Sequence, residues 1–395
     1  MMKWAIVSAV TVLGALLGGC AETASDESPE HTADGASSAA REDAPVAATG
    51  QALSYCYYGG GDYLRVGDFI GSSAWDMVYP DGNYIDTYIS DGSTGLFSYV
   101  DINSGGSWGG SGYTFAGDFN GDGKKDIASA NGGSLYLKYG GASTMTLATH
   151  SVANAWGGSD YTFAADFTGD GRTDIASANG TSVYMKLATA GSFASATWPV
   201  TGSWGGSGYT FAGDFTGDGR ADIASASGGL VYLMKSTGSS FTTSAYSVAN
   251  AWGGSGYTWS ADFNGDGRAD IASANGGNIY MKLANSSGTG FVSATWGAAN
   301  LWGGSDYTWV GDFDGNGLAD IASANGTNVY MKLSTGGGFI SQVWTVPAGT
   351  WGGSSYTRVG KFSLPSSNRT DIVSQVGCTV YHHVSTGSGF VTIAS

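Results

Sequence analysis

The sequence predicts an all-β protein: a seven-bladed β-propeller of four-stranded antiparallel blades, preceded by a signal peptide and a disordered tether. Three observations carry that reading. A block beginning Trp108-Gly109-Gly110-Ser111 recurs at Trp156, Trp204, Trp252, Trp302 and Trp351, spaced 48 to 50 residues apart. Each copy continues through a Tyr-Thr strand, an Asp-Phe loop start, an Asp-Ile strand, a Tyr-containing strand such as Leu135-Tyr136-Leu137-Lys138, and a last strand before the next Trp. Four short strands at such a period are the signature of propeller blades. Third, 67 glycines, 13% aromatic and only 12% charged residues suit tight turns and short strands, and no amphipathic helical stripe interrupts them.

In chain order, residues 1–19 read as a targeting segment: Lys3, an apolar stretch from Trp4 to Leu17, then Gly18-Gly19-Cys20. The stretch is short for a membrane span, and small residues follow it, as in a cleaved signal. Residues 20–51 are rich in Ala, Ser, Thr, Asp and Glu; too little apolar surface is present to offset ordering, so they are expected to form a tether. The block 52–395 is the propeller. Loop positions Asp68, Asp118, Asp166, Asp214, Asp262, Asp312 and Lys361 count seven blades, the first and last degenerate, as terminal repeats commonly are. The segment Leu53–Tyr58 is expected as a strand joining the sheet of the last blade beside Cys378. Cys56 and Cys378 then form a disulfide that fastens the ring, the alternative being two unpaired thiols.

The net charge of −16 argues against nucleic acid or anionic membrane surfaces as partners. Its source is local: five loops of identical spacing each hold three of the 32 acidic residues. Oxygen side chains stand at positions 1, 3, 5 and 9, and position 7 can offer its backbone carbonyl. The five sets are Asp118, Asn120, Asp122, Lys124, Asp126; Asp166, Thr168, Asp170, Arg172, Asp174; Asp214, Thr216, Asp218, Arg220, Asp222; Asp262, Asn264, Asp266, Arg268, Asp270; and Asp312, Asp314, Asn316, Leu318, Asp320. Such hard-oxygen sets suit calcium, and Gly121 and Gly123 allow the wrap. Aspartate and glycine making simple turns is the alternative, which five copies of one ligand spacing disfavour. An EF-hand needs a Glu at position 12, where this loop has Ser129. The expected cofactor is therefore about five calcium ions, each in a loop within one blade and serving stability.

At these residues the chain resembles the FG-GAP repeats of integrin α-subunit propellers and the related VCBS repeats of bacterial surface proteins. The resemblance implies a nine-residue loop that joins two strands of a blade and binds calcium. Trp108-Gly109 matches the family's Phe-Gly, and Ala130-Asn131-Gly132 falls where its Gly-Ala-Pro lies. Asp68–Asp76 keeps only its end aspartates, and Lys361–Asp371 begins with a cation and is lengthened, so neither is expected to bind calcium. Leu17-Gly18-Gly19-Cys20 resembles the lipobox of bacterial lipoproteins, which implies a lipid-anchored Cys20; an ordinary secretory signal is the alternative. The protein is thus expected to be exported and to touch a membrane only through that anchor.

For a ligand, aromatic residues beside Ser, Asn and Asp offer a sugar both a stacking surface and hydrogen-bond partners. The candidates are Trp108, Trp156, Trp204, Trp252, Trp302 and Trp351, with Trp198, Trp296 and Trp344 a few residues before their partners. Packing inside the fold is the alternative for all of them, and it is the expected task of Tyr136 and its equivalents. Arg65 and Arg358 replace the Phe or Trp of the first strand in the first and last blades. They either pair with Asp62, Asp68 or Asp76 or hold an anion. No recurring catalytic constellation accompanies the histidines, and Gly105-Gly106-Ser107-Trp108-Gly109 lacks the strand-turn-helix setting of a nucleophile elbow. The expectation is a monomeric, calcium-binding recognition module for carbohydrate. A protein-binding or adhesive scaffold is the rival, and a propeller hydrolase or lyase stands third.

Overall fold

The repeat folds as its period demands. In the second blade the strands are Thr114–Gly117, Asp126–Asn131, Ser134–Tyr139 and Thr146–Ser151, paired antiparallel in sequence order. The second strand is buried on both faces: Ile127 and Ser129 point one way, Ala128 and Ala130 the other, all at most 5% exposed. A hydroxyl so deep needs partners. The Ser129 Oγ lies 2.7 Å from the Thr114 Oγ1 and accepts from the Gly109 amide at 2.8 Å. The same serine–threonine pair recurs in blades two to seven at 2.7–2.8 Å.

Seven such sheets form in this computed structural model, which describes residues 63–103, 105–141, 144–201, 204–363 and 368–395. These residues all fall in one unit, 48–395. The expected signal (1–19), the tether (20–51), Cys20, Cys56 and the Leu53–Tyr58 segment lie outside the described residues. Apart from the strands, the regular elements among the described residues are single 3-10 turns such as Ser111–Tyr113, each leading into a first strand.

First strands pack beside one another around the centre, and Arg65–Gly67 lies against Thr357–Gly360, closing the ring. All four strands of the last blade, Thr357–Gly360, Asp371–Val376, Thr379–Ser385 and Phe390–Ala394, come from its own repeat. That sheet reaches four strands without the segment expected to join it.

The core lies between blades. The Phe after each loop's first residue (Phe69, Phe119, Phe167, Phe215, Phe263, Phe313, Phe362) is at most 1% exposed. Several meet the fourth-strand Phe of the next blade, as Phe119 does Phe193 at 5.9 Å and Phe167 does Phe241 at 6.0 Å. One turn of loop backbone is thereby pinned to two blades.

Hydrogen bonds cross every joint. Tyr63, Tyr113, Tyr161, Tyr209, Tyr257 and Tyr307 each donate a hydroxyl to a glycine carbonyl of the following blade's connection at 2.6–3.0 Å. That glycine has no room for a side chain, since a Cβ on Gly157 would stand 1.9 Å from the Ala178 carbonyl oxygen.

Candidate functional site: aspartate loops and the tryptophan face

The first-to-second-strand loops and the third-to-fourth hairpins of all blades emerge on one face of the ring. The connections between blades and the second-to-third hairpins emerge on the other.

On the loop face, Asp118 organises its own turn. Its Oδ1 accepts the Gly121 and Asp122 amides at 2.6 and 3.1 Å, and its Oδ2 accepts Gly123 at 2.8 Å. Gly121 and Gly123 have φ of 82° and 86°, a region that favours glycine. Asp126 closes the loop from inside the protein, with no exposed surface. It accepts the Phe119 amide at 2.9 Å and the Gly140 amide of the third-to-fourth hairpin at 2.8 Å. Burial pushes its carboxyl up to about 7, and the charges of Asp122 and Asp118 add to the rise. The position-nine carboxyls of Asp222, Asp270 and Asp320 are likewise raised to about 7 and that of Asp174 to about 6, burial again leading.

At position 5 the arrangement divides. Lys124 reaches Asp122 at 3.2 Å, Arg220 reaches Asp218 and Arg268 reaches Asp266 at 2.5 Å, and Arg172 pairs with Asp170. So the position-seven residues, expected to lend only a carbonyl, also send a cation toward the carboxylate two residues earlier. In the sixth blade Leu318 stands there and Asn316 holds position 5. Asp312, Asp314 and Asp320 converge instead, one oxygen of each lying within 4.8 Å of the others, the only such group among the described residues. Asp314 is raised by burial and by Asp312.

These residues fit a hard divalent cation. Each of the five loops carries carboxylate and amide or hydroxyl oxygens at positions 1, 3, 5 and 9, the last a fully buried acid, and in the sixth blade three of the carboxylates converge; calcium favours such donors. Positions 1, 3, 5 and 9, with the position-seven carbonyl, would hold it. The end aspartates also have work that needs no metal. In the first blade Asp68 accepts Gly71, Ser72 and Ser73 at 2.6–2.9 Å, and Asp76 accepts Phe69 and Ser90 at 3.0 and 3.2 Å, although Ile70 and Ser72 fill positions 3 and 5. In the seventh, the Lys361 ammonium donates to the Asn368 Oδ1 at 2.7 Å.

Each loop joins two strands of one blade, as expected, and is also hydrogen-bonded to the loop of the blade before it. The position-eight amide of each loop donates to the position-one carbonyl of the loop before it: Lys125 to Asp68, Thr173 to Asp118, Ala221 to Asp166, Ala269 to Asp214, Ala319 to Asp262, Thr370 to Asp312 and Trp75 to Lys361, all at 2.6–2.9 Å. The result is a girdle around the whole ring, because the first strand is too short to carry its loop clear of the neighbouring blade.

On the opposite face, the repeated tryptophans are fasteners. Trp108, Trp156, Trp204, Trp252, Trp302 and Trp351 are half-buried. Each indole N–H donates to a hairpin glycine of the blade before it (Gly82, Gly132, Gly180, Gly228, Gly276, Gly326) at 2.6–2.9 Å. A buried ammonium covers the ring in four of them: Lys138 over Trp108 at 3.6 Å, Lys186 over Trp156 at 4.1 Å, Lys282 over Trp252 at 4.2 Å and Lys332 over Trp302 at 4.3 Å. Trp302 also stacks on Trp259 and Trp351 on Trp309, at 6.2 and 5.8 Å. Trp198, Trp296 and Trp344 are 4%, 7% and 3% exposed and pack edge-on to Phe241, Phe339 and Phe390 at 5.0–5.2 Å. Their expected role as stacking surfaces is corrected: they are core.

Arg65 donates to the carbonyls of Thr114 and Ser111 in the next blade, and Arg358 to those of Ser354 and Thr357. The carboxylates of Asp68 and Asp76, expected as their partners, are taken by backbone amides, and Asp62 lies outside the described residues. Sequence reasoning missed the four lysines. Their signal was a cation recurring at one fixed position of an otherwise apolar strand. It also missed His382, fully buried, with its Nε2 3.2 Å from the Asp371 Oδ2 and its Nδ1 3.1 Å from the Gly95 carbonyl of blade one.

Fold and loops together define a β-propeller with repeated aspartate loops on one face. The sequence profile of the FG-GAP-like repeat matches residues 118–177, 166–225, 214–272 and 262–323. These matches span more than half of the chain, and the protein belongs to this repeat family. No curated protein sequence matches it. Among solved structures it is similar to an Agrocybe aegerita lectin that recognises non-reducing terminal N-acetylglucosamine, with 19% identity over 78% of this chain and 84% of that one, TM-score 0.61. It is also similar to part of the Photorhabdus luminescens Tc holotoxin pore, with 12% identity over 78% of this chain and 16% of that one, TM-score 0.47. At such identities the likeness is one of fold.

Proposed function

We propose that this protein is a calcium-clasped recognition propeller, exported and lipid-anchored through Cys20, whose tryptophan face binds carbohydrate. The observation that carries the calcium part is the set of side-chain oxygens at positions 1, 3, 5 and 9 of five loops, which in the sixth blade brings one oxygen each of Asp312, Asp314 and Asp320 within 4.8 Å of the others. A bound divalent ion supplies these carboxylates with a counter-charge, and the girdle of amide-to-carbonyl bonds spreads its bracing to both neighbouring blades.

The carbohydrate part has narrower support. Half-buried indoles recur on one face beside exposed Asn154, Asn250 and Asn300, so a sugar hydroxyl can meet an amide next to an aromatic edge. Repetition lets weak sites add by multivalency. The Agrocybe aegerita lectin shares the fold and recognises a terminal sugar, which makes the scaffold compatible with that use. Carboxylates here serve loops and backbone amides, which favours binding over acid–base chemistry. The test is a glycan array probed in calcium-containing buffer. Binding competed by free sugar supports the reading. No glycan signal, with capture of a protein partner insensitive to free sugar, replaces it with the adhesive scaffold.

A further inference from the structure

The connection entering blade three passes a pocket that neither the loops nor the packing of the tryptophans accounts for. Beside Trp156 a cavity of about 130 Å³ is lined chiefly by Ala153, Ala155, Tyr184, Lys186, Ser195 and Thr197. Strand register gives it a polar floor. Tyr184 pairs with Thr197 and Lys186 with Ser195, so all four side chains stand on one face of the sheet.

Lys186 is 1% exposed. Its ammonium donates to the Ala155 carbonyl at 2.8 Å and lies 4.1 Å from the centre of the Trp156 ring. An ammonium has three N–H donors, so one remains for the cavity. The Ser195 Oγ accepts the Ala153 amide at 2.9 Å, which leaves its own O–H to donate. The pocket therefore offers donors and a positive charge. Burial is the cause that lowers Lys186 to about 8, and no carboxylate among the described residues pairs with it. Burying an ammonium without an anion is unfavourable. The fold does not demand it, since blade four has Met234 at that register.

The same six residues recur at the entry to blade five as Ala249, Ala251, Tyr280, Lys282, Ser293 and Thr295. Lys282 donates to the Ala251 carbonyl and Ser293 accepts the Ala249 amide, both at 2.9 Å. Each other blade changes the set. Leu147 replaces the serine in blade two and Val343 the threonine in blade six, while Tyr88, Met234 and His383 replace the lysine in blades one, four and seven.

We propose that the entries to blades three and five are two binding sites for a carboxylate-bearing sugar. The carboxylate meets the lysine ammonium and the serine hydroxyl, and the sugar ring lies against Tyr184 or Tyr280. A charge-assisted contact of this kind is stronger than one between neutral groups. The inference rests on the carbohydrate reading and narrows it to two sites per chain and to an acidic sugar. The acidic loops that give the chain its net charge lie on the opposite face and do not oppose such a ligand at close range.

The experiment titrates the full chain, in calcium-containing buffer, with methyl glucuronide and with methyl glucoside, which differ in the carboxylate, and reads binding by saturation-transfer NMR. The glucuronide is expected to bind about tenfold more tightly. The double variant Lys186→Met with Lys282→Met should lose it while keeping its fold, and either single variant should keep one site. Lys332→Met, at a joint with Val343, should bind as the parent does. Equal binding of the two sugars, or glucuronide binding that survives the double variant, overturns the inference and leaves the wider carbohydrate reading standing. A glycan array blank for acidic and neutral sugars alike removes both. Should the double variant fail to fold, Ser195→Leu with Ser293→Leu, the residue blade two carries at that register, is read by the same criteria.

Discussion

The Trp75 amide donates to the Lys361 carbonyl at 2.9 Å, the bond by which loop seven meets loop one. Both loops have lost the oxygen set of the other five, yet this joint keeps the geometry of the six others. Ring closure is therefore a property of the repeat backbone, separable from whatever the loops bind.

That seam sets a steric prediction. At the end of each first strand a Gly or Ala faces the position-eight residue of the next loop: Ala165 precedes a blade with Ala221, and Gly360 one with Trp75. A Cβ on Gly360 would meet the Trp75 ring at 2.2 Å. Gly360→Ala is expected to destabilise by about 1–3 kcal/mol, the usual cost of overpacking. Gly110→Ala, whose Cβ meets nothing within 4 Å, should stay within about 0.5 kcal/mol. Urea midpoints at equal m-values measure both.

The buried lysines set a second. Burial lowers Lys138, Lys186, Lys282 and Lys332 to about 8 from 10.5. The unfolded chain therefore binds more protons than the folded one between pH 8 and 10.5, so these groups make stability rise with pH across that window. Blade four already carries Met234 at this register, paired with Ile223 as Lys186 is with Ile175. Lys186→Met should be tolerated within about 1 kcal/mol at pH 7, the ammonium's desolvation offsetting its contact with Trp156. It should also flatten the rise from pH 8 to 10 in urea titrations. An unchanged slope would contradict the assignment.

Trp156 gives a third. Its N–H to Gly132 and its face against Lys186 hold blades two and three together. Trp156→Phe keeps an aromatic but removes the donor and leaves the glycine carbonyl short of a partner, an expected loss of about 1–2 kcal/mol in thermal or chemical melts. A variant as stable as the parent would return the indole to a role in ligand contact alone.

Period and turn chemistry made blade count, strand count and loop position legible in the sequence, because a residue's place in a repeat is a local property. What lay hidden depends on neighbours brought together by closure. Trp198 and Trp156 look alike in the chain, yet the first faces Phe241 inside a joint and the second stands half-buried over a lysine. Likewise Asp76 and Asp126 share their backbone duty while only one sits in a complete oxygen set, so the end aspartates alone signal the fold and positions 3 and 5 signal the metal.

The most direct test of the central claim is the metal content of the folded chain after equilibration with calcium near 1 mM, in the range of extracellular calcium modules, together with its Tm before and after chelation. The account predicts about five ions per chain, the sixth-blade loop with its three convergent carboxylates filling first, and a Tm that drops when they are removed. A folded propeller that holds no calcium at that concentration, or melts at the same temperature with and without it, would contradict it.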